Sequence, residues 1–318
     1  MRSRTSNLDF SKNLLLAGMV AMLIFSWLPM VTNEVFAIPD RFAMPYFSWL
    51  PMVTNEVFAI PDRFGIVEVY PTANNGSVWY INNEDPQRDG NFYFRSLEDI
   101  DLDEEDPGEF KMDAETGTQK HGVRIHVDSP KGEWKNVEMS GYFKMLDGED
   151  EFTMIARHGP SYHDDEGCDA YGYYGMLSAK GDAFFKKKTY HHGGGYTGRT
   201  AVAEGVVDEL HDRWVGIKFM VYDVSGGDVK LELWVDDGDG TNNWKKITEY
   251  IDDGRWETDE SHCDRPKDFI IDSGTRASFR VDDSEFEFKD LSVREIEPLQ
   301  PASQTFLPYS IQTISGKG

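Results

Sequence analysis

Apolar and polar residues alternate with a period of two along most of the chain, and no stretch carries a helical period with caps. The clearest case is VKLELWVDD: Val229, Leu231, Leu233 and Val235 are expected on one face, and Lys230, Glu232, Trp234 and Asp236 on the other. Comparable β-rich runs are read at 65–70, 78–82, 92–96, 123–127, 134–146, 152–158, 171–179, 183–190, 214–224, 244–251, 269–272, 277–282 and 286–296. Gly226-Gly227, Asp237-Gly238-Asp239-Gly240 and Asp253-Gly254 punctuate them as turns. Many short strands without helices predict an all-β sandwich or barrel. It is expected as one domain over residues 65–297, interrupted by an acidic stretch from Glu98 to Glu109 and followed by a flexible tail at 298–318.

The N-terminal region reads differently. Arg2, Arg4 and Lys12 precede a nearly unbroken apolar run, 14–28, broken by Pro29, and Val35-Phe36-Ala37 offers a cleavage site. A membrane span needs about 20 apolar residues. This run is shorter, so a signal peptide at 1–37 is expected, with an uncleaved anchor as the alternative. FSWLPMVTNEVFAIPDRF occurs at 25–42 and again, identically, at 47–64. The second copy is expected to leave 38–64 as an apolar leader ahead of the domain, and the mature protein to be secreted, with no membrane attachment after cleavage.

Composition narrows the function classes. With 8 Trp, 14 Tyr and 20 Phe the chain can fill a core despite a net charge of −25. That charge repels nucleic acid and anionic membranes and excludes them as expected partners. The only cysteines, Cys168 and Cys263, are expected to form one disulfide in an oxidising compartment. A zinc site using His163 or His262, each near a cysteine in sequence, is the second choice. Asn75-Gly76-Ser77 is a single glycosylation sequon.

Candidate chemistry gathers between Ala156 and Tyr196, where four of the eight histidines and the chain's one basic cluster lie. Arg157, His163, Lys188, Tyr190 and His192 are the expected ligand contacts. His158, Tyr173 and His191 are the candidates for catalysis, because elimination on a uronate needs a carboxylate neutraliser, a base and an acid. If strands 152–158, 171–179 and 183–190 pair, their polar ends gather at one end of a sheet as the only positive spot on an acidic surface. The bland alternative is a solvated hairpin with tyrosines packed across strands.

The even strand spacing, the tyrosine-rich central hairpins and the ending ASFRVDDSEFEFKDLSVREI resemble the concanavalin A-like lectin/glucanase superfamily. That resemblance implies a two-sheet antiparallel jelly-roll β-sandwich that binds, hydrolyses or eliminates glycans. It also implies a structural calcium, with Asp290 in KDLSVREI as its aspartate. The laminarinase-like Glu-x-Asp-x-Glu strand has its nearest match in Asp99, Asp101 and Asp103; both glutamates are replaced, and the acidic run continues, so hydrolysis is disfavoured. The 235–243 loop lacks the sixth-position Gly and twelfth-position Glu of an EF-hand. The sequence therefore reads as a secreted carbohydrate-binding sandwich, with a polysaccharide lyase or a structural envelope protein as alternatives. Cleavage after Ala37 predicts that N-terminal sequencing of exported protein gives IPDRFAMPYF; an intact Met1 or a start at Gly65 would contradict it.

Overall fold

The structure is a computed structural model and describes residues 61–82, 92–95, 104–106, 108–113, 123–160, 167–191 and 195–298. The expected signal peptide, nearly all of the leader, the Asp99, Asp101, Asp103 run and the tail beyond Pro298 lie outside the described residues.

Among the described residues there are strands and no helix. In chain order they are β1 (Val78–Tyr80), β2 (Phe92–Arg95), β3 (Glu104–Asp106), β4 (Glu109–Asp113), β5 (Val123–Asp128), β6 (Val137–Gly148), β7 (Glu151–His158), β8 (Gly172–Ser178), β9 (Ala183–Lys188), β10 (Thr200–Ala203), β11 (Val215–Asp223), β12 (Val229–Asp236), β13 (Lys245–Asp252), β14 (Arg276–Val281) and β15 (Ser284–Glu295). They form two antiparallel sheets. One runs β13-β12-β11-β6-β15-β4-β3, with β1 also on β15; the other runs β10-β9-β8-β7-β14-β5-β2. This is the two-sheet antiparallel jelly-roll sandwich that the superfamily resemblance implies, and the closing β15 lies inside the larger sheet, between β6 and β4.

Strand parity builds the core. Val229, Leu231, Leu233 and Val235 all point inward and are buried, as their alternation requires. From the smaller sheet come Phe152, Met154, Tyr173, Leu177, Phe185, Ala277, Phe279, Val123, Ile125 and Val127. The two inner faces interdigitate: the Phe185 and Phe219 rings lie 6.0 Å apart, and Phe143 packs on Phe152. Gly175 makes room for this, since a Cβ there would stand 2.6 Å from the Phe219 ring.

The outward face of the larger sheet is covered in part, by residues 61–72, while β13 at its edge leaves Lys246, Glu249 and Ile251 exposed. Lys218 Nζ meets Glu138 Oε1 at 2.8 Å, and Arg294 meets Glu138 at 2.7 Å and Glu68 at 3.2 Å, with Lys218, Glu138 and Arg294 all buried. Burial pushes the Glu138 carboxyl up, but Lys218 and Arg294 outweigh that and hold it below its ordinary value. Residues 61–64, expected to belong to the leader, are part of this packing. Asp62 Oδ1 accepts from the Phe64 and Ile66 amides at 2.8 and 3.0 Å, Pro61 bridges to Val67, and the Phe64 ring meets Tyr80 edge-on.

Two expected strands are absent, for a common reason. At 65–70 the Val67 amide goes to the Asn242 side chain, and at 269–272 the Ile271 amide and carbonyl go to Tyr173 and Arg157. Their backbones are satisfied by side chains rather than by a ladder. The short β10 and the β3–β4 hairpin inside the acidic stretch were not foreseen. The expected disulfide is present: Cys168 and Cys263 are bonded, with Cα atoms 5.5 Å apart, within the range a bridge requires. Gly175→Ala is expected to lower unfolding free energy by about 1–3 kcal/mol through overpacking against Phe219; denaturant melts with unchanged slope check it.

Candidate functional site

The face of the smaller sheet turned away from the core carries the chemistry. Inward Phe152 and Met154 on β7 alternate with outward Thr153 and Ile155; on β8, Tyr174 and Met176 face outward. On β9 the outward set is Phe184, Lys186 and Lys188, on β14 it is Ser278 and Arg280, and on β5 it is Arg124 and His126. Register aligns them in rows across the strands. Ile155, Tyr174 and Lys186 are direct neighbours in one row, with Ser278 and His126 continuing it. Thr153, Met176 and Phe184 make the next, continued by Arg280 and Arg124.

A bulge in β7 sets the end of this face. The pairing of β14 with β7 shifts between Arg276 and Ser278, and Arg157 takes a left-handed φ of 50°. His158 thereby lands beside Ser278, whose Oγ lies 2.8 Å from His158 Nδ1 and 2.7 Å from His126 Nδ1. One hydroxyl has one proton, so it can donate to only one of the two rings, and at least one imidazole donates to it from Nδ1. Burial, then His126 and Lys188, drives the His158 pKa well below its ordinary value.

Lys188 is buried on the same face. Its Nζ is 3.0 Å from His191 Nδ1 and sits over the Tyr196 ring at 5.2 Å. Burial first, then the positive charges of Arg280 and Arg124, pull its pKa down to about 6, so the amine is largely neutral at pH 7. Beside it opens a pocket of about 190 Å³, walled by Tyr174, Met176 and Tyr196, with Lys186 and Arg280 as cations and Asp150, Glu151 and Asp282 as acids. The acids temper the charge: Lys186 and Arg199 approach Glu151 at 3.7 and 3.9 Å, and Arg124 and Arg280 both reach Asp282. The expected lone positive spot is thus a mixed surface with paired carboxylates.

The structure separates the residues that the sequence grouped. Lys188, His158 and His191 share the outer face. Tyr173 does not: its hydroxyl donates to Asp252 Oδ2 at 2.8 Å and accepts from the Ile271 amide at 3.0 Å inside the core, and burial raises its pKa well above the ordinary phenol value. The pleat makes this unavoidable, because Tyr173 and Tyr174 must point to opposite faces. Arg157 is also withdrawn. It is fully buried at the end of the sandwich, donating to the Lys135 carbonyl at 2.8 Å, the Ile271 carbonyl at 2.7 Å and Asp223 at 2.7 Å. Tyr190 is buried with its ring on His262, and His163 and His192 lie outside the described residues.

Asp290 sits on β15 in the other sheet, with a φ of 57°, and burial together with Asp62, Asp239 and Glu109 lifts its carboxyl to about 6 against the pull of Lys289. Carboxylates suit calcium. Among the described residues, Asp290 is not one of three converging Asp, Glu, His or Cys ligand atoms.

Arg124, His126, Ser278 and Arg280 were not anticipated, although VRIHV and ASFRV carry the alternation that puts them outward. No protein-family model matches the chain, and no curated protein matches it. Among solved structures it is similar to a Bacillus subtilis protein of unknown function with a galectin-like fold (10% identity, 72% of this chain and all of that one, TM-score 0.46). It is also similar to the carbohydrate-binding module CBM66 of Bacillus subtilis (11%, 70% and 99%, 0.36) and to an endo-β-1,4-glucuronan lyase of Trichoderma reesei (12%, 74% and 94%, 0.36). At these identities none of them assigns a role to a residue here.

Two outcomes follow. Arg157→Ala, which strands the buried Ile271 carbonyl, takes one of the two cations from Asp223 and empties a fully buried site, is expected to cost about 3 kcal/mol or more, against about 0.5 kcal/mol at an exposed site; urea titration separates these. Lys188 and His158 both have lowered pKa values in the fold, so the unfolded chain binds more protons. Stability should therefore rise with pH, through the window from about 6 towards 10.5 for Lys188 and below 6.5 for His158. The Lys188 part of that slope, up to about 1.4 kcal/mol per pH unit, should vanish in Lys188→Met.

Proposed function

We propose that this chain is a secreted carbohydrate-binding β-sandwich protein, and that its ligand face is the outer face of the smaller sheet. The observation that carries the reading is the meeting of Tyr174, Tyr196, Lys186 and Arg280 around one pocket of about 190 Å³ on a chain of net charge −25. Aromatic rings offer flat apolar surfaces to sugar rings, and Lys and Arg donate to hydroxyls and carboxylates. Lys186 and Arg280 are the groups there that would meet the carboxylates of an acidic polysaccharide, against Asp150, Glu151 and Asp282 in the same lining. The repulsion of the distant acidic surface is screened beyond about 8 Å at physiological salt, while the pocket cations act at contact range.

A second reading, a polysaccharide lyase, is favoured by the neutral Lys188 amine against His191. In β-elimination a base takes the proton from C5, the C4–O bond breaks, a C4=C5 double bond forms, and the leaving oxygen takes up a proton. His191, half-buried and held against the Lys188 amine, is the group suited to the first step, and the neighbouring Tyr196 hydroxyl to the last. Tyr173 has no part in it.

The test is a glycan array with protein beginning at Ile60, followed by binding isotherms on the best acidic glycan. Lys186→Ala and Arg280→Ala are expected to weaken binding about tenfold or more each, one charge-assisted contact being worth about 1.5–3 kcal/mol, with steeper salt dependence in the parent than in the variants. Parent-like binding by both variants would remove the reading. Ultraviolet absorbance from unsaturated products, lost in His191→Ala, would select the lyase; bound glycan without such products would select the binding protein.

A further inference from the structure

The two cysteines meet an imidazole. Among the described residues, the sulfurs of Cys168 and Cys263 and a ring nitrogen of His262 all lie within 4.8 Å of one another, and this is the one such convergence of His, Cys, Asp or Glu ligand atoms. His262 is exposed and both cysteines are half-buried, so a reductant and a metal ion can reach the group.

The backbone creates the arrangement. The Arg265 amide donates to the His262 carbonyl at 3.0 Å, and the two residues between, Cys263 and Asp264, have left-handed φ values of 60° and 56°. That is the geometry of a type I′ turn. It sets His262 and Cys263 side by side at the tip of a short hairpin, facing Cys168. The Tyr190 ring packs on the imidazole, with centroids 4.9 Å apart, and limits its swing.

We propose that, once reduced, Cys168, Cys263 and His262 hold a zinc ion, which takes over the tie made by the disulfide. The steps balance. A dithiol reductant delivers two electrons and two protons, the S–S bond breaks into two thiols, and the reductant becomes a disulfide. Zinc binding then releases the two thiol protons to solvent. Two thiolates and an imidazole are ligands zinc favours, and bonds of about 2.3 Å in tetrahedral geometry place the sulfurs about 3.8 Å apart. Cysteines whose Cα atoms are 5.5 Å apart can reach that spacing by side-chain rotation. The fourth position is open to water.

The tie has a consequence beyond its own loop. Arg265, two residues past Cys263, donates to the Cys168 and Thr189 carbonyls, and the His191 amide donates to the Gly167 carbonyl at 2.8 Å. The junction thus anchors the turn that carries His191 to Lys188. Zinc would keep that turn anchored where the surroundings are reducing.

The experiment uses the full chain, reduced with a phosphine, desalted without oxygen and titrated with cobalt(II). The expected result is one equivalent of tetrahedral cobalt with thiolate charge-transfer absorbance, displaced by zinc, and no such spectrum from the oxidised protein. His262→Ala changes an exposed residue and should fold; its cobalt affinity should fall at least about tenfold, the least expected when a ligand rather than its supporting partner is lost. Zinc should also restore the melting temperature of the reduced parent but not of His262→Ala. A reduced parent that binds no cobalt, or a His262→Ala variant that binds it as the parent does, overturns the proposal.

Discussion

A buried carboxylate holds the two sheets together at one end. Asp252, at the end of β13 in the larger sheet, has no exposure, and Lys187 from β9 and Tyr173 from β8 in the smaller sheet both close on its Oδ2, at 2.9 and 2.8 Å. The Tyr173 oxygen in turn accepts from the Ile271 amide, the Ile271 carbonyl accepts from Arg157, and Arg157 reaches Asp223 at the end of β11. One polar chain therefore runs from Asp252 on β13 to Asp223 on β11 through Ile271 in the 253–275 loop. Burying these charges is costly unless each is paired, so the geometry of every member is fixed by the others. Burial lowers the Lys187 pKa and Asp252 pulls it back.

That chain explains why the outer face of the smaller sheet looks as it does. In a strand, residues that serve the core tie and residues that serve the surface must alternate. Lys186, Lys187 and Lys188 are consecutive, yet Lys187 goes inward to Asp252 while its neighbours go outward, one to the pocket and one to His191. Tyr173 and Tyr174 divide in the same way. The proposed ligand face thus rests on a layer whose own polar groups are already committed, a platform of the kind that positions contacts well.

The strands of the sandwich were legible because burial on one face imposes a period of two, and β12 shows that period without interruption. The short β10 and the hairpin in the acidic stretch carry too few apolar positions to announce themselves. The disulfide could be read because the chain has one pair of cysteines. The site was read only in part. Sequence proximity put Arg157 and Tyr173 beside Lys188 and His158, but the bulge at Arg157 and the pleat at Tyr173 turn them away, and their partners Asp223, Ile271 and Asp252 are distant in sequence. Conversely, Arg124, His126, Ser278 and Arg280 stood in clear alternating strands; what was missing was the knowledge that β5 and β14 lie beside β7, which only the sheet order supplies.

Ligand recognition is proposed for the outer face of the smaller sheet rather than for the larger sheet. Mapping amide chemical-shift changes while titrating an acidic oligosaccharide into the isotope-labelled protein tests this most directly. Changes are expected to concentrate on Lys186, Lys188, Tyr174, Tyr196 and Arg280, with β11 and β12 unmoved. A footprint centred instead on Trp234, Lys246 and Tyr70, over the larger sheet, would contradict it.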